Sequence, residues 1–256
     1  MEAKKDTYTP VSVVMIVKNE AKIIRHCLGS ASWADEIVVL DTGSEDNTVQ
    51  ICKDFGAKVF LQKTWEGFGK ARQTAVKYAT NDWIFSLDAD EYASNELIDE
   101  ISHIRNNGFN CSAYRIEVKS YYLGKRINYC GWQNESHIRL FDRRRCTYSD
   151  AVVHESLILT GEVGRLKGII HHHTYPTKDT HLTKMIRYGE LGAIKLKSMG
   201  QSSNPLKALL RGAFTFIKMY ILCLGFLDGA YGFSLCKTTA WSTWYKYHRL
   251  WQLRKS

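Results

Sequence analysis

Between residues 11 and 90, short apolar, β-branched runs alternate with segments whose apolar residues recur at three- and four-residue spacing. Runs of the first kind read as strands and segments of the second as helices. The pattern predicts strands at Val11–Val17, Glu36–Leu40, Ala57–Leu61 and Trp83–Leu87, and helices at Ala21–Leu28, Asp46–Phe55 and Gly69–Thr80. Ser44 or Asp46 can cap the second helix and Gly56 stands just past its end, the expected start and stop chemistry. Strands alternating with helices imply an α/β fold with a mostly parallel sheet covered on both faces. Such sheets bind ligands beyond the carboxyl ends of their strands. From about 110 to 174 the pattern becomes short β-type runs rich in Tyr, Arg, Gly and His, a mixed extension of the sheet.

After Pro205 the composition shifts to apolar, aromatic and basic residues. A catalytic-size domain over 1–204 and a helical extension over 205–256 follow from that shift. The extension also carries the charge: of a formal net +9, seven charges come from residues 205–256, where eight Lys and Arg face Asp228 alone. A basic excess implies an anionic partner. Nucleic acid is not expected, because aromatic RNP strands and a Gly-x-x-Gly loop are lacking. The seven cysteines form no Cys-x-x-Cys pair and read as reduced thiols. The charged start is followed by a seven-residue apolar run, too short for a signal-peptide core, so a cytoplasmic location is expected.

The chemistry concentrates after two strands. Asp41 follows the second and Asp88-Ala89-Asp90-Glu91 follows the fourth, which places both acidic groups at one edge of a parallel sheet. In extended backbone Asp88 and Asp90 project to the same side. Converging carboxylates repel unless a cation sits between them, and Mg²⁺ or Mn²⁺ bound to a diphosphate meets that need. Taken alone, the Asp-x-Asp reads equally as a solvated acidic loop, Asp41 as a turn cap and Arg72 as a surface arginine.

Four motifs occur in order: VVMIVKNE (13–20), VLDTGSEDNT (39–48), GKARQ (69–73) and FSLDADE (85–91). Together they resemble the family 2 glycosyltransferases of the GT-A fold. The resemblance implies a donor half over about 11–108 and an acceptor half over about 109–204. It implies that Lys18, Glu20, Asp41, Arg72 and Asp88 bind a nucleotide-sugar donor and that Asp90, with Asp88, holds the divalent metal. Gln73 departs from the family's usual Asn. An inverting transfer needs a base to take the acceptor proton. Glu155, beside His154 in the Val-His-Glu stretch, is the first candidate; Asp150 and Glu91 are others. His171 and His173 share a strand face and are candidates to complete the metal shell, as an exposed turn also fits. His154 and Arg139 are candidate acceptor contacts. His137 and the cluster Arg143–Arg145 suit an anionic group or a solvated basic loop.

Leu206, Leu209, Leu210, Ala213, Ile217, Tyr220, Ile221 and Leu224 recur at helical spacing, with Lys207, Arg211 and Lys218 on another face. The longest uncharged run, Met219–Leu227, is too short to cross a bilayer. A basic amphipathic helix of this kind lies on an anionic membrane surface or packs against the catalytic domain or a second subunit as a homo-oligomer. With GFLDG at 225–229, the chain resembles bacterial lipopolysaccharide-core β-1,4-glucosyltransferases. That resemblance implies UDP-glucose as donor, a lipid-linked saccharide with an inner-core heptose as acceptor, and peripheral attachment to the inner membrane. The competing readings are a nucleotidyltransferase, which should show a Gly-rich loop after the first strand where Lys18-Asn19-Glu20 stands, and a non-enzymatic module binding anionic lipid or RNA.

Overall fold

The computed structural model describes residues 8–149 and 157–254, and the chain divides into two compact units. The first comprises residues up to 118 together with 135–172; the second comprises 119–134 and 173 onward. The division thus falls before α5 (Lys178–Ser198), earlier than the composition shift at Pro205.

In the first unit, β1 (Val11–Val17), β2 (Glu36–Asp41), β3 (Lys58–Leu61) and β4 (Trp83–Ser86) pair in parallel in the order β3-β2-β1-β4. Their crossovers run through α1 (Ile24–Ser30), α2 (Thr48–Asp54) and α3 (Phe68–Tyr78). The sheet continues past β4 through β8 (Ser136–Asp142), β6 (Ala113–Tyr122), β11 (Val163–Tyr175) and β5 (Glu91–Ala93). Here the pairing of β4 with β8, β8 with β6 and β11 with β5 is antiparallel. β7 (Lys125–Arg126) pairs with β6, and β9 (Cys146–Tyr148) with β10 (Leu157–Leu159) in a separate ribbon. A parallel half followed by an antiparallel half is the α/β arrangement expected of a GT-A fold.

Alternation along the strands builds a core on each face of this sheet. Val11, Val13, Met15 and Val17 of β1 join Phe85 of β4 beneath α1 and α4 (Asn95–Asn107). Val14 and Ile84 point the other way, toward Ala71 and Ala75 of α3. Burial on both sides is why these strands read as near-continuous apolar runs. The second helix begins two residues past Asp46, whose carboxylate accepts from the Thr48 amide at 3.0 Å. Gly56 after its end holds φ +77, the left-handed turn that glycine permits without a Cβ clash.

The second unit is mainly helical, with α5, α6 (Pro205–Ile217) and α7 (Gly229–Gln252). α6 starts on the Asn204 side chain, which accepts from the Lys207 amide at 2.7 Å, with Pro205 in its first turn. It runs into a π-helical turn at Lys218–Leu222, and a 3-10 turn at Gly225–Asp228 leads into α7. The Asp228 carboxylate is buried and accepts from the amides of Asn128 and Tyr129, which ties the GFLDG turn to the β7 loop. All seven cysteines are free thiols.

His181 on α5 is 1% exposed, its Nδ1 3.3 Å from the Tyr122 hydroxyl, and its Nε2 has no hydrogen-bond partner among the described residues. Burial pushes its pKa down from 6.5 to about 4. Between those values the unfolded chain holds more protons, so stability is full above the upper one and falls as the pH drops toward the lower. Thermal midpoints measured across this window should decline, by at most roughly 3 kcal/mol of stability. In His181→Phe that part of the decline should disappear.

Candidate active site

The three loops that follow β1, β2 and β4 leave the same edge of the sheet because these strands are parallel. The first two loops are stitched together: the Asn19 amide donates to Ser44 Oγ at 2.9 Å, and Asn19 Oδ1 accepts from the Glu45 amide at 2.7 Å. Asn19 holds φ +57, a left-handed conformation that Asn tolerates better than most residues. The Glu20 amide donates to Thr48 Oγ1 at 2.8 Å, and Lys18 is exposed. The buried Asp41 carboxylate accepts from the Gly43 amide at 3.1 Å and the Ser44 amide at 3.0 Å. Asp41 therefore shapes the β2 turn, as an Asp at a turn start does.

The Asp-x-Asp segment does not continue the strand. β4 ends at Ser86, and Asp88 O accepts from the Glu91 amide at 3.0 Å, so residues 88–91 form a turn. The backbone here is thus not extended as expected, and the two aspartates take different direct partners. Asp88 lies between two guanidinium groups: Arg72 Nη2 of α3 is 2.7 Å from Oδ1, and Arg139 Nη2 of β8 is 3.1 Å from Oδ2. Arg72 is steadied by Ser86 Oγ at 3.0 Å. Burial would push the Asp88 carboxyl up, yet Arg72 and Arg139 hold it well below the usual carboxylate range.

Asp90 turns instead toward His172, whose Nε2 is 3.4 Å from Oδ2. β11 pairs with β5 so that His172 faces Glu91 in register and His171 faces Tyr92. His171 stacks on Tyr92 with ring centroids 4.6 Å apart, and His173 stacks on Tyr121 at 4.7 Å. The middle histidine of the three, which was not among the residues singled out from the sequence, thus reaches an aspartate. Burial opposes charge on His172, but Asp90, Glu91 and Asp88 outweigh it and raise its pKa above the ordinary histidine value.

Glu91 is 1% exposed; one oxygen accepts from the Asp88 amide at 3.0 Å and the other from Arg139. Burial pushes its carboxyl up while Arg139 opposes. A carboxylate so enclosed is poorly placed to take a proton from an incoming hydroxyl, and Glu91 reads as the brace of the turn. Arg139, expected among the acceptor contacts, is 8% exposed and bonds both carboxylates. Asp150, His154 and Glu155 lie outside the described residues.

Three carboxylates face two guanidinium groups, which leaves one net negative charge when His172 is neutral. That residue of charge suits a cation. Among the described residues no group of three His, Cys, Asp or Glu side chains is placed to hold a metal. Asp90 and His172 offer two donors, a set that hard divalent cations complete with phosphate and water.

His137 meets Glu135 at 3.0 Å in an exposed pair. Arg143 donates to the carbonyls of Val76 and Ala79, and Arg144 chelates Asp142 and reaches Asp82. These arginines stand at the start of β4, at the opposite sheet edge from Asp88. A cavity of about 750 Å³ opens there between Asp82, Asp142, Arg144 and Glu162, away from the carboxylate cluster.

Known proteins bear on this site. The family described as Glycosyl transferase family 2 matches residues 12–161, which contain every member of the cluster except His172. An uncharacterized glycosyltransferase of Rickettsia typhi is 28% identical over 87% of this chain and 80% of its own length. The lipopolysaccharide core biosynthesis glycosyltransferase LpsC of Rhizobium meliloti is 25% identical over 82% of this chain and 80% of its own. Among solved structures, S. aureus TarS in complex with UDP-GlcNAc aligns over 96% of this chain and 92% of its own at 14% identity, with a TM-score of 0.49. The family match spans more than half of the chain and replaces the nucleotidyltransferase and non-enzymatic readings. This chain belongs to glycosyl transferase family 2.

Proposed function

We propose that the chain is an inverting, divalent-metal-dependent transferase that moves glucose from UDP-glucose to a hydroxyl of a lipid-linked saccharide, the heptose region of a lipopolysaccharide inner core. The observation that carries the reading is the convergence of Arg72, Asp88, Asp90, Arg139 and His172 at the carboxyl edge of a family 2 fold. The likeness to LpsC supports the acceptor class. The donor sugar rests on the motif resemblance.

Each residue has a task that its surroundings support. Arg72 and Arg139 keep Asp88 ionised and fixed, so that it orients the nucleoside side of the donor. Asp90 and His172 would hold the cation. A cation held by these two side chains would supply Lewis-acid chemistry for a departing diphosphate. Asp41 and Asn19 hold the two loops that border the nucleotide. Glu155 remains the proposed base, since Glu91 is enclosed.

The test is thermal stabilisation by UDP-, GDP- and ADP-sugars with and without Mn²⁺. A bound donor raises the midpoint by mass action. UDP-glucose with Mn²⁺ should give the largest rise, and EDTA should abolish it. A chain that no nucleotide sugar stabilises under either condition is not this enzyme.

A further inference from the structure

The amphipathic pattern of α6 is placed with its apolar side outward. Leu206, Leu209, Leu210, Phe214 and Ile217 are each 51–64% exposed. The side of α6 toward α7 is built from Ala208 and Gly212. A Cβ on Gly212 would stand 2.9 Å from the Trp244 Cβ and 3.1 Å from the Ala240 carbonyl oxygen, so α6 and α7 meet backbone to backbone. Close packing through small residues leaves the large side chains of the stripe more than half exposed. Ile221 and Leu222 extend the stripe through the π-helical turn. Contiguous apolar surface on this scale marks an interaction face.

Charge selects the partner. Lys207 and Arg211 flank the stripe, lying 6.0 and 5.5 Å from the Tyr247 ring centroid, and Lys218 is exposed at its end. A groove of about 520 Å³ is lined by Leu206, Leu210 and Phe214 together with Lys207 and Arg211. The only acidic residue from 205 to 254 is Asp228, and its carboxylate is buried. A second copy docking the same patch by two-fold symmetry would oppose these cations with no exposed carboxylate of the segment to answer them. An anionic lipid surface supplies phosphate for the cations and acyl chain for the leucines. No single helix among the described residues is long and apolar enough to cross a membrane, and α6 with its turn is joined to α7 through a 74° bend.

We propose that α6 and the turn after it form a membrane-docking face that settles into the headgroup–acyl boundary of an anionic bilayer, leucine stripe inward and Lys207, Arg211 and Lys218 at phosphate level. This goes beyond the transferase reading and does not rest on it.

The test is flotation of the full chain with vesicles of phosphatidylcholine alone and with about one-third phosphatidylglycerol. Binding should require the anionic lipid and weaken at high salt. Leu209→Glu combined with Phe214→Glu, at side chains that already face solvent, should lower the vesicle partition by roughly tenfold or more. Lys218→Glu should lower it less, and only at low salt. Asp90→Asn should leave it unchanged, so lipid binding and sugar transfer fail separately. Circular dichroism and thermal midpoints confirm that the variants fold. The proposal is overturned if the chain ignores anionic vesicles, if the double variant binds them as the parent does, or if the parent is a dimer in solution that the same substitutions split into monomers.

Discussion

Asp90→Asn should lower turnover on the order of 10³-fold while leaving the fold intact. The substitution keeps the shape of the side chain and removes one negative charge. Asp90 is one of the two donors proposed to hold a cation, the other being His172, whose Nε2 lies 3.4 Å from its carboxylate. A metal that stabilises a departing diphosphate is worth several kcal/mol, and each 1.4 kcal/mol is tenfold in rate. Asp90 is partly exposed and lies outside the apolar clusters, so the thermal midpoint should move little. Steady-state kinetics with the donor that stabilises the parent measure the effect. The Mn²⁺-dependent part of that stabilisation should vanish with it, and His172→Gln should weaken both without abolishing either. An Asp90→Asn enzyme working within tenfold of the parent would remove Asp90 from the metal site.

The parallel half of the fold was legible because its signals are local. β1 needs only its own apolar run, and α2 needs only Asp46 before it and Gly56 after it. Placing Asp41 and Asp88 on one edge required just one further rule, that parallel strands end on the same side. What local pattern cannot carry is the antiparallel half. Arg139 reaches Asp88 only because β8 pairs antiparallel with β4, Ile84 opposite Phe141, across more than fifty residues of chain. The histidine run shows the same limit. Alternation separates His172 from His171 and His173, but only pairing with β5 decides which side meets Asp90. A turn instead of extended backbone at 88–91 likewise follows from Glu91, whose carboxylate accepts from the Asp88 amide. In the second unit, the spacing of the leucines on α6 gave the stripe, while the direction it faces depends on Gly212 fitting against Ala240 and Trp244.

That pairing of β8 with β4 makes Arg139 the residue whose loss should cost the fold most. Arg139→Met is close in volume but leaves Glu91 buried without its guanidinium partner and Asp88 with Arg72 as its remaining guanidinium. Breaking a buried ion pair from one side costs about 3–5 kcal/mol, and for a chain of this length each kcal/mol moves the thermal midpoint by roughly 2–4 °C. Pairing the change with Glu91→Gln removes the stranded charge and should return a large part of the loss, a coupling that a double-mutant cycle measures directly. The pH dependence has a definite sign. Burial already raises the Glu91 carboxyl, and removing Arg139 takes away the group that holds it down. A carboxyl raised in the folded state contributes stability that is full below its unfolded pKa and is lost as the pH climbs through the folded value. The deficit of Arg139→Met against the parent should therefore shrink in mild acid and widen toward neutrality, whereas the double variant should lose most of that dependence. If Glu91→Gln rescues nothing and the deficit is flat with pH, Arg139 serves the core by packing and the ion-pair account of the β4 turn is wrong.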